Sequence, residues 1–453
     1  MNNASLELGG TNWAEKDGNI LGYSVGDTSG KYSPQEFTFA RGSNLSATRI
    51  DRAGLIVKGR ENVILQSNSL DNATWEKRNI SVTGNQSGYD GLNNAWEILP
   101  NTSSGAHYIF QFNSNSSGIT TTSIYAKANG YTHFYMYLNT NTTDRAAWFN
   151  LDTGSVGTQA NTLIDATITD VGNDWYRCDV KQDIAITSVE LYLGGNGENI
   201  NFTGDGISSI LFQDAQLEQG LAASPYIPTT TTSAQAGVLE NTPRLNYTTG
   251  VANPYLLLEP SRTNLVTQSE YISGGAWTSA GSTVTANETT SPDGTTNATK
   301  ILESAALGIH ATNNSSPITG SATSTASVFY KKGTRRYFSI KLQIGGSSYT
   351  QVFDSEGLVT GSNYPNGLTD VVTTIENYGN GWGRFSVKGT SSTGVSSYII
   401  VSLSDSLNPT FDSGNFNPKY TGTGTDYGYL YGAQLEVGSY PTSYIPTYSV
   451  SAT

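Results

Sequence analysis

Charge, cysteine and histidine are scarce in this chain, and each scarcity excludes something. Charged residues make up 13% of the 453 positions and the net charge is −13. Nucleic-acid binders need basic surface to replace phosphate counterions, so a general nucleic-acid partner is not expected, nor is an anionic membrane surface. The one cysteine, Cys178, rules out an intrachain disulfide and reads as a small buried apolar residue in the strand-like run WYRCDV. Three histidines cannot furnish a His-rich metal site within one module. No run approaches 18 apolar residues, so no helical membrane span is expected, and the opening MNNASLELGG lacks the basic and apolar regions of a secretory leader. Helical periodicity is also nearly absent.

What is present is polarity without charge, carried by Ser, Thr, Asn and Gly, with aromatics at 11%. Short alternating apolar runs recur between Gly, Asn and Ser clusters. That pattern predicts an all-β fold of the sandwich or jelly-roll kind.

The chain also repeats itself. Residues 215–229 read AQLEQGLAASPYIPT and residues 433–447 read AQLEVGSYPTSYIPT, with nine of fifteen positions identical. Upstream matches keep the same order. Asn62 pairs with Asn264, Gln66-Ser67 with Gln268-Ser269, Trp75 with Trp277, Asp90-Gly91 with Asp293-Gly294 and His107 with His310. Gly172, Asn173, Trp175 and Arg177 pair with Gly379, Asn380, Trp382 and Arg384. A period this long exceeds any solenoid unit, so each copy is expected to be a complete domain. The resulting division is a lead-in segment at 1–54, one jelly roll at 55–229, a linker at 230–256 and a second jelly roll at 257–453. Within residues 1–48 the one strand candidate is Phe37-Thr38-Phe39-Ala40.

Comparing the copies assigns strand faces, because alternate side chains point to opposite sides. Phe134, Met136 and Leu138 match Phe338, Ile340 and Leu342, which marks a core face. The intervening residues share no chemistry. In the first copy they are Tyr131, His133, Tyr135 and Tyr137; in the second, Arg335, Tyr337, Ser339 and Lys341. Tyr131, Tyr135, Tyr137 and Trp148 are therefore the candidate sugar-stacking residues, set against the blander reading of cross-strand or interface tyrosines. Trp175 and Trp382 read as packing residues, Trp75 and Trp277 as packed under a loop. Arg177 and Arg384 are expected to tie down carbonyls or an acid such as Glu218 or Glu436, and His107 and His310 to serve a duplicated packing role. Gly22-Tyr23-Ser24-Val25-Gly26 fits the G-x-S-x-G pattern without the strand-to-helix context that nucleophile elbow needs. Gly194-Gly195-Asn196-Gly197-Glu198-Asn199 looks like one lone unit of a calcium-binding repeat that works by stacking. No catalytic constellation is recognisable, so a non-enzyme is expected.

The second copy's opening, LLLEPSRTNLVTQSEYISGGAWTSAGSTVTANETTSPDGTTNATKI, with SVFYKKG, GNGWGRFSV and GAQLEVG...YIPT, resembles modules of bacteriophage virion proteins, including tail-fibre and decoration-type proteins. The first copy is similar through SIYAKANG, FNLDTGSV, GNDWYRCDV and DAQLEQG...YIPT. The layout is also similar to jelly-roll carbohydrate-binding modules. The resemblance implies a virion structural protein: a fibre, decoration or adhesin. It would attach to other virion proteins through its N-terminal segment and display two modules toward host surface polysaccharide. The fibre analogy implies a homo-oligomer, with a trimer as its fibre-like state. Rival readings are a purely structural cementing protein of capsid or tail, and a polysaccharide depolymerase. No cofactor is implied except a structural calcium, for which Asp214 and Glu218 are the matching end-strand acids. In the second copy Gly432 replaces the Asp, leaving Glu436.

Overall fold

The computed structural model describes residues 43–453 apart from 113–117, 141–142, 144, 161, 240–241, 249–250, 252, 317–321 and 393–395. Of residues 1–42 it describes the strands Trp13–Lys16, Asn19–Gly26 and Tyr32–Glu36, which form a small antiparallel sheet. The G-x-S-x-G run lies inside the second of these strands, so it forms no strand-to-helix elbow. Phe37–Ala40 lie outside the described residues.

The protein is all-β, with two β-sandwich modules, each built of two six-stranded antiparallel sheets. In the first module one sheet runs Ser155–Gln159, Arg145–Asn150, His133–Asn139, Ser188–Leu193, Tyr108–Phe112, Glu76–Arg78. Its other sheet runs Asp165–Gly172, Trp175–Gln182, Thr120–Asn129, Ser209–Gln219, Ala95–Pro100, Ile80–Gln86. The second module repeats both orders strand for strand, for example Val359–Asn366, Ser347–Asp354, Tyr337–Ile344, Ser397–Ser404, Ala311–Ser316, Trp277–Ala280 in its first sheet. The duplication is thus one of topology as well as of sequence.

Alternation explains the cores. Along His133–Asn139 every second residue is buried, and Phe134, Met136 and Leu138 pack inside with Phe149, Phe212 and Cys178. Phe338, Ile340 and Leu342 do the same in the second module with Phe353 and Phe385. One hairpin turn is also duplicated. Asn173-Asp174 and Asn380-Gly381 take left-handed backbone angles (φ 55°, 62° and 51°, 80°), matching the type I′ geometry that suits the twist of paired strands.

The shared words AQLE and YIPT form a brace. Asn62 donates to the carbonyls of Ala215 (3.1 Å) and Ile227 (2.9 Å), and Asn264 repeats this on Ala433 (3.1 Å) and Ile445 (2.8 Å). Gln216 donates to Glu218 (2.6 Å) while accepting from the Ile227 backbone N–H, and Gln434 repeats both bonds with Glu436 and Ile445. All four side chains are buried, so each bond satisfies a group that would otherwise be costly.

By contacts the chain forms two compact units, Arg60–Ala236 and a discontinuous one of Met1–Gly59 with Gly237–Thr453. The strand Ile56–Lys58, placed by the sequence at the start of the 55–229 module, pairs with Thr48–Ile50 instead. In the second unit Ile56 and Ile50 pack on the outer aromatic face of the Ala322–Lys332 sheet, against Phe329, Trp382, Tyr431 and Tyr444. The first module covers the matching patch differently: Tyr89 stacks on Tyr125 at 3.8 Å beside Trp175.

Candidate functional site

The outer face of the His133–Asn139 sheet in the first module carries a row of aromatic residues. Strand register aligns them. Trp148 faces Tyr135, Tyr135 faces Tyr192, Tyr192 faces Tyr108, and Tyr108 faces Arg78, across five adjacent strands. Ring centroids lie 4.8 Å apart for Tyr135–Trp148, 6.4 Å for Tyr135–Tyr192 and 4.2 Å for the stacked Tyr108–Tyr192 pair. The next row joins Tyr137, Glu190, Phe110 and Glu76. Neighbouring strands are about 4.8 Å apart, so the row runs perpendicular to the chain direction.

Glu190 sits at its centre. It accepts from the Tyr192 hydroxyl (2.8 Å) and from Ser188 (2.7 Å). Burial and this carboxylate push the Tyr192 phenol far above its ordinary range, so it remains a neutral donor. The Arg78 guanidinium lies over the Phe110 ring at 5.6 Å. Tyr108, Tyr135, Tyr137 and Tyr192 are half-buried, and Phe112 at the edge is 69% exposed. The strip therefore joins accessible ring surface with the Tyr192 hydroxyl, which is held by a Glu190 carboxylate only 8% exposed.

The four stacking residues chosen from sequence divide here. Tyr135 and Tyr137 are on the strip. Tyr131 is not: it precedes the strand, is buried in the core edge-on to Phe202, and its hydroxyl accepts the Asp205 N–H (3.0 Å). Trp148 is on the row but only 8% exposed, because Gly194 lies against it. A Cβ on Gly194 would meet the indole at 2.3 Å, so the loop after Leu193 closes over that ring. Sequence reading missed Tyr108, Tyr192, Phe110, Arg78 and Glu190, which come from strands distant in the chain.

In the second module the same face is small and closed. Its row reads Val352, Ser339, Ser402, Ala311, Ala280. The longer loop between Ser404 and Tyr420 lies over it: Lys341 donates to the Asn415 carbonyl (3.0 Å), Thr350 to the Phe416 carbonyl (2.6 Å) and Ser402 to Asn417 (3.3 Å). The two modules thus share a core and differ in what that face presents.

The two acids proposed for calcium have separate hydrogen-bond partners. Glu218 is buried in the brace, accepting from Gln216 and from the Ser224 N–H (2.7 Å). Asp214 is tied separately to the Tyr89 hydroxyl (2.9 Å). Among the described residues no group of three or more Asp, Glu, His or Cys is arranged to hold a metal. The loop Gly194–Asn199 covers Trp148. Arg177 and Arg384 donate to backbone carbonyls, of Ser224 (2.5 Å) and Thr442 (2.6 Å). His107 and His310 each bridge two backbone carbonyls, and the Trp75 and Trp277 indoles donate to the carbonyls of Gln66 (3.0 Å) and Gln268 (2.9 Å).

No protein-family model matches the chain, and no curated protein matches it.

Proposed function

We propose that the protein is a non-enzymatic display protein whose first module binds a surface polysaccharide along the aromatic strip. The observation that carries this reading is the in-register row Tyr135, Tyr192, Tyr108, Arg78, whose counterpart in the second module is small residues under a loop. Aromatic rings pack against the C–H faces of pyranose sugars, while fixed hydroxyls select their hydroxyl groups. Glu190, an acid at the centre though only 8% exposed, disfavours acidic sugars. The resemblance to bacteriophage tail-fibre and decoration-type proteins supports a virion as the setting, with host polysaccharide as ligand and virion proteins as neighbours of the N-terminal segment.

Glycan-array screening followed by calorimetric titration tests the reading. Tyr192→Ala removes the central ring and the donor to Glu190, and should weaken binding at least about tenfold, as loss of a central aromatic anchor does. Lys341→Ala, on the closed face of the second module, should leave affinity unchanged. Silence of the wild-type protein against host-type polysaccharides at millimolar concentration would defeat the proposal.

A further inference from the structure

A lysine and two carboxylates meet in the second unit where little solvent reaches them. Lys58 Nζ lies 2.5 Å from Asp293 Oδ2 and 2.9 Å from Glu270 Oε1. The side chains are 6%, 0% and 1% exposed, and Tyr431 and Tyr444, members of an aromatic cluster with Phe329 and Trp382, reach the site through their hydroxyls. From this geometry we infer that Lys58 and Asp293 join in a spontaneous intramolecular amide bond, with Glu270 as the proton carrier.

Three features beyond proximity support this. First, Asp293 is held as an acyl group would be. Its Oδ1 accepts from Ser291 Oγ (2.8 Å), the Thr295 N–H (2.9 Å) and Thr295 Oγ1 (2.6 Å), donors placed to stabilise an oxyanion, while Oδ2 faces the amine. Second, Glu270 is locked in place by Tyr431 (3.0 Å) and Tyr444 (3.3 Å) with both oxygens within 3.0 Å of Nζ. Third, the site is a net anion buried away from water. Amide formation removes one ammonium and one carboxylate from low dielectric, where charges are costly. Groups held in a near-attack geometry reach effective molarities of about 10⁵ M or more.

The step balances. Nζ gives one proton to Asp293 Oδ2, making amine and carboxylic acid. The Nζ lone pair attacks Cγ, and charge collects on Oδ1. Glu270 takes a second proton from Nζ and passes it to the Oδ2 hydroxyl, which leaves as water. One proton stays on the amide nitrogen, and Glu270 ends as it began. The first copy has Asp90 at the matching position but Asn68 in place of Glu270 and Gln213 in place of Tyr431, so the reaction belongs to the second module alone.

The bond closes a covalent loop that contains the whole first module, Arg60–Ala236. Intact mass spectrometry of the full chain tests it. Wild type should weigh one water less than its sequence, and Glu270→Gln and Asp293→Ala should carry their full masses. A tryptic digest should join peptides 53–60 and 263–300, with fragment ions placing the branch at 293. A cut in the 230–243 linker should leave the wild-type fragments joined on a denaturing gel. A wild-type chain at full mass, whose cut fragments separate, overturns the inference. A branch at 270 overturns the assignment to Asp293.

Discussion

Replacing Glu303 by Gln should destabilise the second module by about 3 kcal/mol at pH 7, the range expected when one partner of a buried ion pair is removed. Glu303 ends the strand Thr296–Glu303 and is buried. It takes Arg335 in a two-pronged pair (2.8 Å each), the Tyr420 hydroxyl (2.7 Å) and the Thr423 N–H (2.6 Å). Glutamine keeps the volume but turns an amide toward these donors and leaves Arg335 with only Asp426, at 3.3 Å. The pH dependence has a definite sign. Burial alone would raise the Glu303 carboxyl, but Arg335, Tyr420 and Thr423 outweigh it and hold the group down at about 2, against 4.5 for a free glutamate. A depressed carboxyl stabilises above its unfolded value and loses that contribution as pH falls. The wild-type module should therefore weaken between about pH 4.5 and 2, and Glu303→Gln should flatten that limb. Hydrogen exchange followed on peptides from 296–303 reports this module apart from the first. Unchanged protection at pH 7 would show that the pair is dispensable.

What the sequence made legible was whatever packing or local geometry dictates. The repeated words at 215–229 and 433–447 are repeated because Asn62, Gln216 and their partners satisfy buried backbone groups in the same way twice. Period-two alternation located Phe134, Met136 and Leu138 and placed Tyr135 and Tyr137 opposite them. The rest of the strip was hidden because a row across a sheet is set by register. Tyr108 and Tyr192 are far apart in sequence and meet only when their strands pair. Parity failed for Tyr131, which lies before the strand begins, and for Trp148, whose exposure is decided by a glycine in another loop. Lys58 was hidden for a similar reason. Its strand stands at the head of the 55–229 repeat, yet it pairs backward with Thr48–Ile50 and ends against Glu270 and Asp293. A chain that inserts one module within the span of another cannot be divided by repeat boundaries alone.

Asp214→Asn should act in the opposite direction, stabilising the first module by about 2 kcal/mol at pH 8 in a chelating buffer and having no effect near pH 4. Asp214 is 5% exposed and has a left-handed backbone (φ 57°), a conformation asparagine also tolerates. Burial pushes its carboxyl up to about 6 from 3.8; Asp90 adds to the rise, while the Tyr89 hydroxyl and Arg177 oppose it. For an acid raised in the folded state, stability is complete below the unfolded value and is lost as pH climbs through the folded one. The interval between 3.8 and about 6 corresponds to roughly 3 kcal/mol, reduced to about 2 by residual solvent screening. The amide keeps an acceptor for Tyr89, so the bond seen at 2.9 Å survives. The structural calcium implied by the module resemblance predicts the reverse. A bound cation would lower the Asp214 carboxyl and make the carboxylate an asset, so calcium would stabilise wild type and do nothing for Asp214→Asn. Thermal unfolding of both proteins at pH 8, with chelator and then with millimolar calcium, separates the two. A stabilised variant that calcium leaves unmoved identifies Asp214 as a buried acid. A wild type whose first transition rises with calcium above that of the variant identifies it as a ligand.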